Sequence, residues 1–416
     1  MRTTIVSCFV NLNDELNKTV EWYFEKGKFL FELDANIYFF TDKGSYDQLY
    51  KLRSDLGFKD KTQMIACPLS SFPLYIHKKK IIENRKGNPL YSNSRNTTDY
   101  FILVSSKLEM MKISIDENYF HSDHFIWIDF GINGQKHTKK GMIEKMLPNI
   151  RDKFSCCYIH YRHPSFIKNY SEFYKFGHCG IAGGVLSGNK DHIIKVYELF
   201  QQKFIEIVEK GYGHAEEQIL VEIEGDHPEL FEIYNGDYSS IISNYLNITE
   251  DVDCILRNFI INTRNSGKNN YSYNACKQIR KSIELDLIKL NDYQKLIYYD
   301  EYFISAWYVN RQDCFYVLNQ LKEDMKSKEF CIAFESNINH YITNFDFISM
   351  LLPTKKNIKI IDIKLPEDML SKLLSHYQVF IYNDDDIGEN FLLINNPIIR
   401  KKNMIKELDY EFIISK

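Results

Sequence analysis

The chain lacks the marks of several large protein classes. It has no basic block: 52 Lys and Arg stand against 56 Asp and Glu, a formal net charge of -4. The short run Lys78-Lys79-Lys80 reads as the solvated face of a helix. The positive footprint of a duplex binder is missing, so nucleic acid is not an expected partner. No segment approaches the roughly 18 consecutive apolar residues that span a bilayer, so no transmembrane segment is expected and any membrane contact is peripheral. The N-terminus, Met1-Arg2-Thr3-Thr4 before a short apolar run, lacks the length of a signal peptide. The nine Cys form no CxxC pair. They read as reduced thiols in a cytoplasmic protein, without a disulfide framework or a zinc site. HExxH, P-loop and EF-hand spacings are also absent.

What is present is a chain of 416 residues, 44% of them hydrophobic, enough for two or three packed domains. Strand-like and helix-like patterns alternate over the first 245 residues. Apolar runs at Thr3 to Val10, Asn36 to Phe40, Met64 to Cys67, Phe125 to Ile128, Cys156 to Tyr161, Ile181 to Leu186 and Phe231 to Tyr234 read as strands. Helical spacing covers Asp14 to Leu33, Ser45 to Leu56, Thr98 to Asn118 and Lys190 to Glu209, with a short helix carrying His214 to Gln218. Such alternation implies crossover connections and a mainly parallel sheet. Ligands of such sheets bind beyond the carboxyl ends of strands, where Asp42 and Asp129 both fall. From Asp251 to Lys326 the pattern is helical, with two hairpins loosely of tetratricopeptide type; the last 90 or so residues mix short strands and helices.

Three strings can carry chemistry, and two further acidic strings need weighing. In Trp127-Ile128-Asp129-Phe130-Gly131 an apolar strand delivers a carboxylate to the sheet edge. Such an oxygen ligand suits Mg²⁺ or Mn²⁺, and a turn-capping aspartate is the plainer reading. Asp-Phe-Gly is also the metal-binding triplet of protein kinases, but no GxGxxG loop accompanies it and His160-Tyr161-Arg162-His163 is no HRD loop, which excludes that class. In Gly180 to Gly188, glycines inside a strand signal close approach of a ligand or of neighbouring chain. In Gly211 to Gln218, Glu216 and Glu217 open a helix, where the dipole favours negative charge. One of them is expected to face a site, accepting a sugar hydroxyl or acting as base or nucleophile. His214 beside them is a packing residue or a metal ligand. Asp384-Asp385-Asp386 contains a literal DxD but reads as a hairpin turn, and Asp251-Val252-Asp253 as helix N-cap chemistry.

Several segments together resemble the HtrL/YibB family of bacterial proteins, regarded as glycosyltransferase-like. They are TIVSCFVN (Thr4 to Asn11), Phe39-Phe40-Thr41-Asp42, Ser106-Lys107-Leu108-Glu109, FIWIDFGI (Phe125 to Ile132), IAGGVLSG (Ile181 to Gly188), Glu216-Glu217-Gln218, and Gly236-Asp237-Tyr238 with Asn244-Tyr245. The layout is also similar to the GT-A fold of family 8 glycosyltransferases. The resemblance implies an α/β fold, a GT-A-like, Rossmann-type mixed sheet flanked by helices, with a mostly α-helical C-terminal region after it. It implies that Asp129 binds the metal-diphosphate, that Asp42 sits near the nucleoside, and that Lys107 meets a phosphate or the donor sugar. Gly183, Gly184 and Glu217 would border the sugar. Where the family 8 motif has its second aspartate this chain has Gly131, so another metal ligand is needed, with Asp237 or a histidine as candidates.

The expected organisation is a nucleotide-sugar-binding domain over 1–248, a helical-hairpin region over 249–327 and a small α/β region over 328–416. The expected function is Mn²⁺- or Mg²⁺-assisted transfer of a sugar from a nucleotide-sugar donor, a UDP-sugar favoured, to a glycan or lipid-linked acceptor. A nucleotidyltransferase on a similar sheet and a non-catalytic binding module are the alternatives.

Overall fold

A computed structural model describes residues 2–12, 19–87, 97–213 and 215–324, together with the backbone of four later strands. His214 and Asp384 to Asp386 lie outside the described residues. The chain divides into two compact units, Met1–Asn262 with Lys281–Ile288, and Thr263–Arg280 with Lys289–Lys416.

The first unit is built on seven strands: β1 (Thr3–Phe9), β2 (Asn36–Thr41), β3 (Thr62–Ala66), β4 (His124–Ile128), β5 (Ser155–Tyr158), β6 (Ile181–Asn189) and β7 (Tyr234–Asn235). They lie in the order β3-β2-β1-β4-β6-β5-β7. Strands β3, β2, β1 and β4 are parallel, β6 runs against both β4 and β5, and β7 is parallel to β5. The α/β class and the mixed, Rossmann-type sheet flanked by helices are therefore observed. The central strands read as near-continuous apolar runs because helices cover both faces. Ile5, Ile37, Ile126 and Val185 are wholly buried in one core. Phe130, just past β4, closes that core: its ring occupies the space a Cβ on Gly27 would need, 2.0 Å from Cζ. It packs with Phe9, Phe31 and Phe39. This anchor fixes where the chain leaves β4, and hence where Asp129 stands.

The direction of β6 decides the geometry of the site. Ile128, the last residue of β4, pairs with Val185 inside β6. The first residues of β6 therefore run on beyond the end of β4. Gly184 O accepts Asp129 N at 3.0 Å, and Gly183 lies one residue further out. Helices Lys107–Glu117 and Glu216–Asp226 begin beside this edge.

In the second unit, helices Asp292–Val309 and Gln312–Asp324 pack together. The first is started by a capping box between Asn291 and Gln294. Asp313 accepts the hydroxyls of Tyr273 and Tyr302, each at 2.8 Å. Strands β8 (Lys359–Ile360), β9 (Gln378–Asn383), β10 (Leu392–Ile394) and β11 (Tyr410–Ser415) form an antiparallel sheet in the order β10-β9-β11-β8. The region that follows the mixed sheet is mostly helical over 252–324. Among the described residues no helix is long and apolar enough to cross a membrane.

Candidate active site

A cavity of about 710 Å³ opens at the carboxyl ends of β1 and β4. That volume falls in the range of small-molecule sites. Its walls include Cys8 to Leu12 after β1, Thr19 to Tyr23 at the start of the helix Val20–Phe31, and Tyr100, Val104 and Lys107. Trp127, Asp129 and Gly131 complete the side towards β4. The lining joins aromatic faces (Trp22, Tyr23, Tyr100, Trp127) to one ammonium and one strand-end carboxylate.

Lys107 is the hub. Its ammonium lies 3.0 Å from Asp129 Oδ1, 2.7 Å from Glu216 Oε1 and 3.0 Å from the carbonyl oxygen of Gly183. Those partners use all the donors an ammonium has. Burial works to deprotonate Lys107, but Asp129 and Glu216 outweigh it and hold the group above the usual lysine range. Burial pushes the Glu216 carboxyl up to about 7, against the pull of Lys107. The pair is fully charged on the alkaline side of that value.

Asp129 is oriented a second time by Trp127, whose Nε1 donates to Oδ1 at 2.7 Å. Its side chain stays 41% exposed while that of Lys107 is only 7% exposed, so the cation is buried and the carboxylate faces the cavity. Glu217 is held at both oxygens: Gly183 N donates to Oε1 at 2.8 Å and the Tyr238 hydroxyl to Oε2 at 2.6 Å. Both helix-opening glutamates thus lie against Gly183, Glu216 buried and Glu217 partly exposed. A Cβ on Gly183 would come within 2.2 Å of Glu216 Oε1, and one on Gly184 within 2.7 Å of Ile241 Cδ1. The glycines are there because the Lys107–Glu216 pair and Ile241 fill the space of a side chain.

The structure brings together Lys107, Asp129, Gly183, Gly184, Glu216 and Glu217. The other two sequence-expected residues stand elsewhere. Asp42 caps the helix Lys43–Asp55 through Ser45 N at 2.9 Å and holds Asn11 N at 2.8 Å. It meets the cavity rim through Asn11. Asp237 caps the turn Tyr238–Ser240, accepting from Tyr238 N at 2.8 Å. Asp251 lies at the start of the helix Val252–Cys254 but its carboxylate takes the Ser239 hydroxyl at 2.6 Å. Sequence reading missed Trp127 and Tyr238 as site residues. The first was accessible, since residues two apart on a strand share a face. The second depends on a contact between distant segments and left no local signal.

Among the described residues no three His, Cys, Asp or Glu side chains converge to hold a metal. Mg²⁺ sites often take only one or two carboxylates, with substrate phosphates and water supplying the rest. Asp129, with an oxygen directed to the cavity and a locked orientation, fits that role. The charge balance fits as well. The Lys107 ammonium already meets two carboxyl groups, Asp129 and Glu216, so a polyanionic ligand gains little from it unless a cation comes with the ligand.

Residues 1–245 match the family described as a bacterial protein of unknown function (HtrL_YibB). No curated protein matches the chain. Among solved structures, it is similar to the apo form of mouse xyloside xylosyltransferase 1, at 14% identity over 56% of this chain and 85% of that one, with a TM-score of 0.34. It is also similar to PaToxG glycosyltransferase, at 12% identity over 72% of this chain and 83% of that one, with a TM-score of 0.27.

Proposed function

This chain belongs to the HtrL_YibB family, and from that premise we propose that it is a glycosyltransferase using a nucleotide-sugar donor and a divalent cation. The observation that carries the reading is the shared ammonium of Lys107, which ties strand-end Asp129 to helix-opening Glu216 across the β6 glycines.

In this reading the nucleoside lies in the aromatic-lined cavity and its diphosphate reaches towards Asp129, the protein's ligand for Mg²⁺ or Mn²⁺. The cation supplies shielding of the negative charge that grows on the departing diphosphate. Lys107 and Trp127 fix the Asp129 carboxylate, so no reorientation is needed as that charge develops. Glu217, partly exposed and held by Gly183 and Tyr238, faces the sugar; it accepts a hydroxyl or stabilises positive charge at the anomeric carbon. Glu216, buried against Lys107, is a positioning residue. The acceptor is a glycan or a lipid-linked saccharide.

Titration of the full chain with UDP-, GDP- and CMP-sugars, with and without Mn²⁺, tests this. One donor should raise the melting temperature in a Mn²⁺-dependent way, and turnover should release nucleoside diphosphate or monophosphate. Release of pyrophosphate from a nucleoside triphosphate would replace the reading with nucleotidyl transfer. No response to any nucleotide sugar would remove it.

A further inference from the structure

Near Glu217 lies a second cluster whose residues do not line the donor cavity and take no part in the transfer scheme. Arg162 follows β5, and His178 and Cys179 precede β6. Arg162 Nε donates to the carbonyl of Cys179 at 3.0 Å. Cys179 lies beside Glu217 and Tyr238, and its Sγ donates to the carbonyl of Gly177 at 3.4 Å. Arg162 thus stands one residue removed from the Glu217–Tyr238 pair. It is half-buried, and among the described residues no carboxylate pairs with its guanidinium. By contrast, buried Arg53 spends its guanidinium on the carbonyls of Phe31, Leu33 and Ala35 and on Thr62.

Two imidazoles lie close to this contact: His178 precedes Cys179 in the chain, and His160 N donates to the carbonyl of Gly180, the residue after Cys179, at 3.2 Å. Burial and then the Arg162 charge hold both His160 and His178 below the ordinary histidine range. Among the described residues neither ring has a hydrogen-bond partner; His178 packs edge-on against Phe166. The acids nearby are already placed. Glu217 is held at both oxygens, and Glu172, which pulls on His178, lies exposed on the surface. A partly desolvated guanidinium with free N–H groups and two unengaged imidazoles is a receptor for an oxyanion, because the planar fork matches the paired oxygens of phosphate and carboxylate.

We propose that Arg162, His160 and His178 form an acceptor subsite, receiving a phosphate or carboxylate group carried by the acceptor while its reacting hydroxyl lies towards Glu217. The inference rests on the glycosyltransferase reading for the word acceptor; the anion site itself does not.

The imidazole C–H resonances of the full-length protein report on the site. Glucose 6-phosphate and glucuronate should shift the His160 and His178 signals and raise their titration midpoints; glucose at equal concentration should not. Vesicles containing phosphatidic acid, run in parallel, separate a lipid-borne phosphate from a soluble sugar phosphate. Arg162→Gln should weaken binding of the responding anion about tenfold or more while nucleotide-sugar binding at the Asp129 cavity is unchanged. If Arg162→Gln does not fold, His178→Asn with the wild-type titration decides the matter. Equal responses to glucose and to the anions, or no response to any anion, would overturn the subsite. Absence of nucleotide-sugar binding alongside an intact anion response would instead overturn the glycosyltransferase reading.

Discussion

Lys107 and Asp129 stand 3.0 Å apart on opposite sides of a solvent boundary, the ammonium buried and the carboxylate open to the cavity. A fixed cation behind a carboxylate sets its direction without filling its outward face. Asp129→Asn keeps the shape and the Oδ1 acceptor for Trp127 and Lys107, but removes the charge that would hold a divalent cation. Transfer should fall about 100-fold or more, the range seen when one electrostatic stabiliser of a developing anion is lost. The thermal midpoint without ligand should fall while the fold is kept, because Asp129 is one of the two carboxylates that hold the buried Lys107 ammonium charged, and Mn²⁺ should no longer enhance donor binding. Unchanged turnover in this variant would take Asp129 out of the mechanism.

The Lys107–Glu216 pair should be strongly coupled. Both side chains are 7% exposed or less. Removing one partner of such a pair leaves an uncompensated buried charge and typically costs about 3–5 kcal/mol. Lys107→Met is therefore expected to be severely destabilised, with Glu216 taking up a proton to limit the loss. Lys107→Met combined with Glu216→Gln should recover much of that stability, since a neutral pair carries no stranded charge. Chemical denaturation of the two single variants and the double variant measures the coupling. Additive losses would show that the two groups do not share an environment.

Glu216 also gives the protein a pH signature. Its carboxyl is raised from an ordinary value of 4.5 to about 7 in the folded state by burial. The folded state then binds more protons than the unfolded state between those values, so stability falls as pH rises across that window. The contribution is fully present below about pH 4.5 and lost above about pH 7, on the order of 3 kcal/mol in the limit of that shift. Thermal unfolding followed from pH 4.5 to 7.5 should show a downward slope in the wild type and a flatter one in Glu216→Gln. A wild-type slope that Glu216→Gln does not change would assign the titration to another group.

Much of this was legible in the chain, for reasons specific to each element. The helix Lys190–Glu209 could be read at both ends because its apolar stripe is regular and Asn189 caps it through His192 N. Asp129 could be placed because an unbroken apolar run ends on it. The glycines of β6 were legible as a close approach, though not as an approach to Glu216. The direction of β6 was not legible: an isolated strand carries no mark of whether it will pair parallel or antiparallel, and that direction brings Gly183 and Gly184 alongside Asp129. Asp237 shows what a local motif leaves out. Its acidic side chain in a motif-bearing segment invites a metal role, and its part in capping the turn through Tyr238 N is visible only in the structure.

Tyr238 offers a test of how Glu217 works that a merely structural contact would fail. Its hydroxyl donates to Glu217 Oε2 at 2.6 Å, while Gly183 N secures Oε1. Tyr238→Phe releases one oxygen and leaves the other held, so the carboxylate stays in place but gains freedom to rotate. The donor cavity, lined by Lys107 and Asp129 rather than by Tyr238, is untouched. KM for the nucleotide sugar should therefore hold while kcat drops about tenfold, the loss expected when an interaction specific to the transition state is loosened. Glu217→Gln should drop kcat further, because it removes the charge as well as the restraint. If Tyr238→Phe raised KM with kcat unchanged, Glu217 would be a ground-state binding residue, and the group that meets the anomeric carbon would have to be sought elsewhere along the β6 edge.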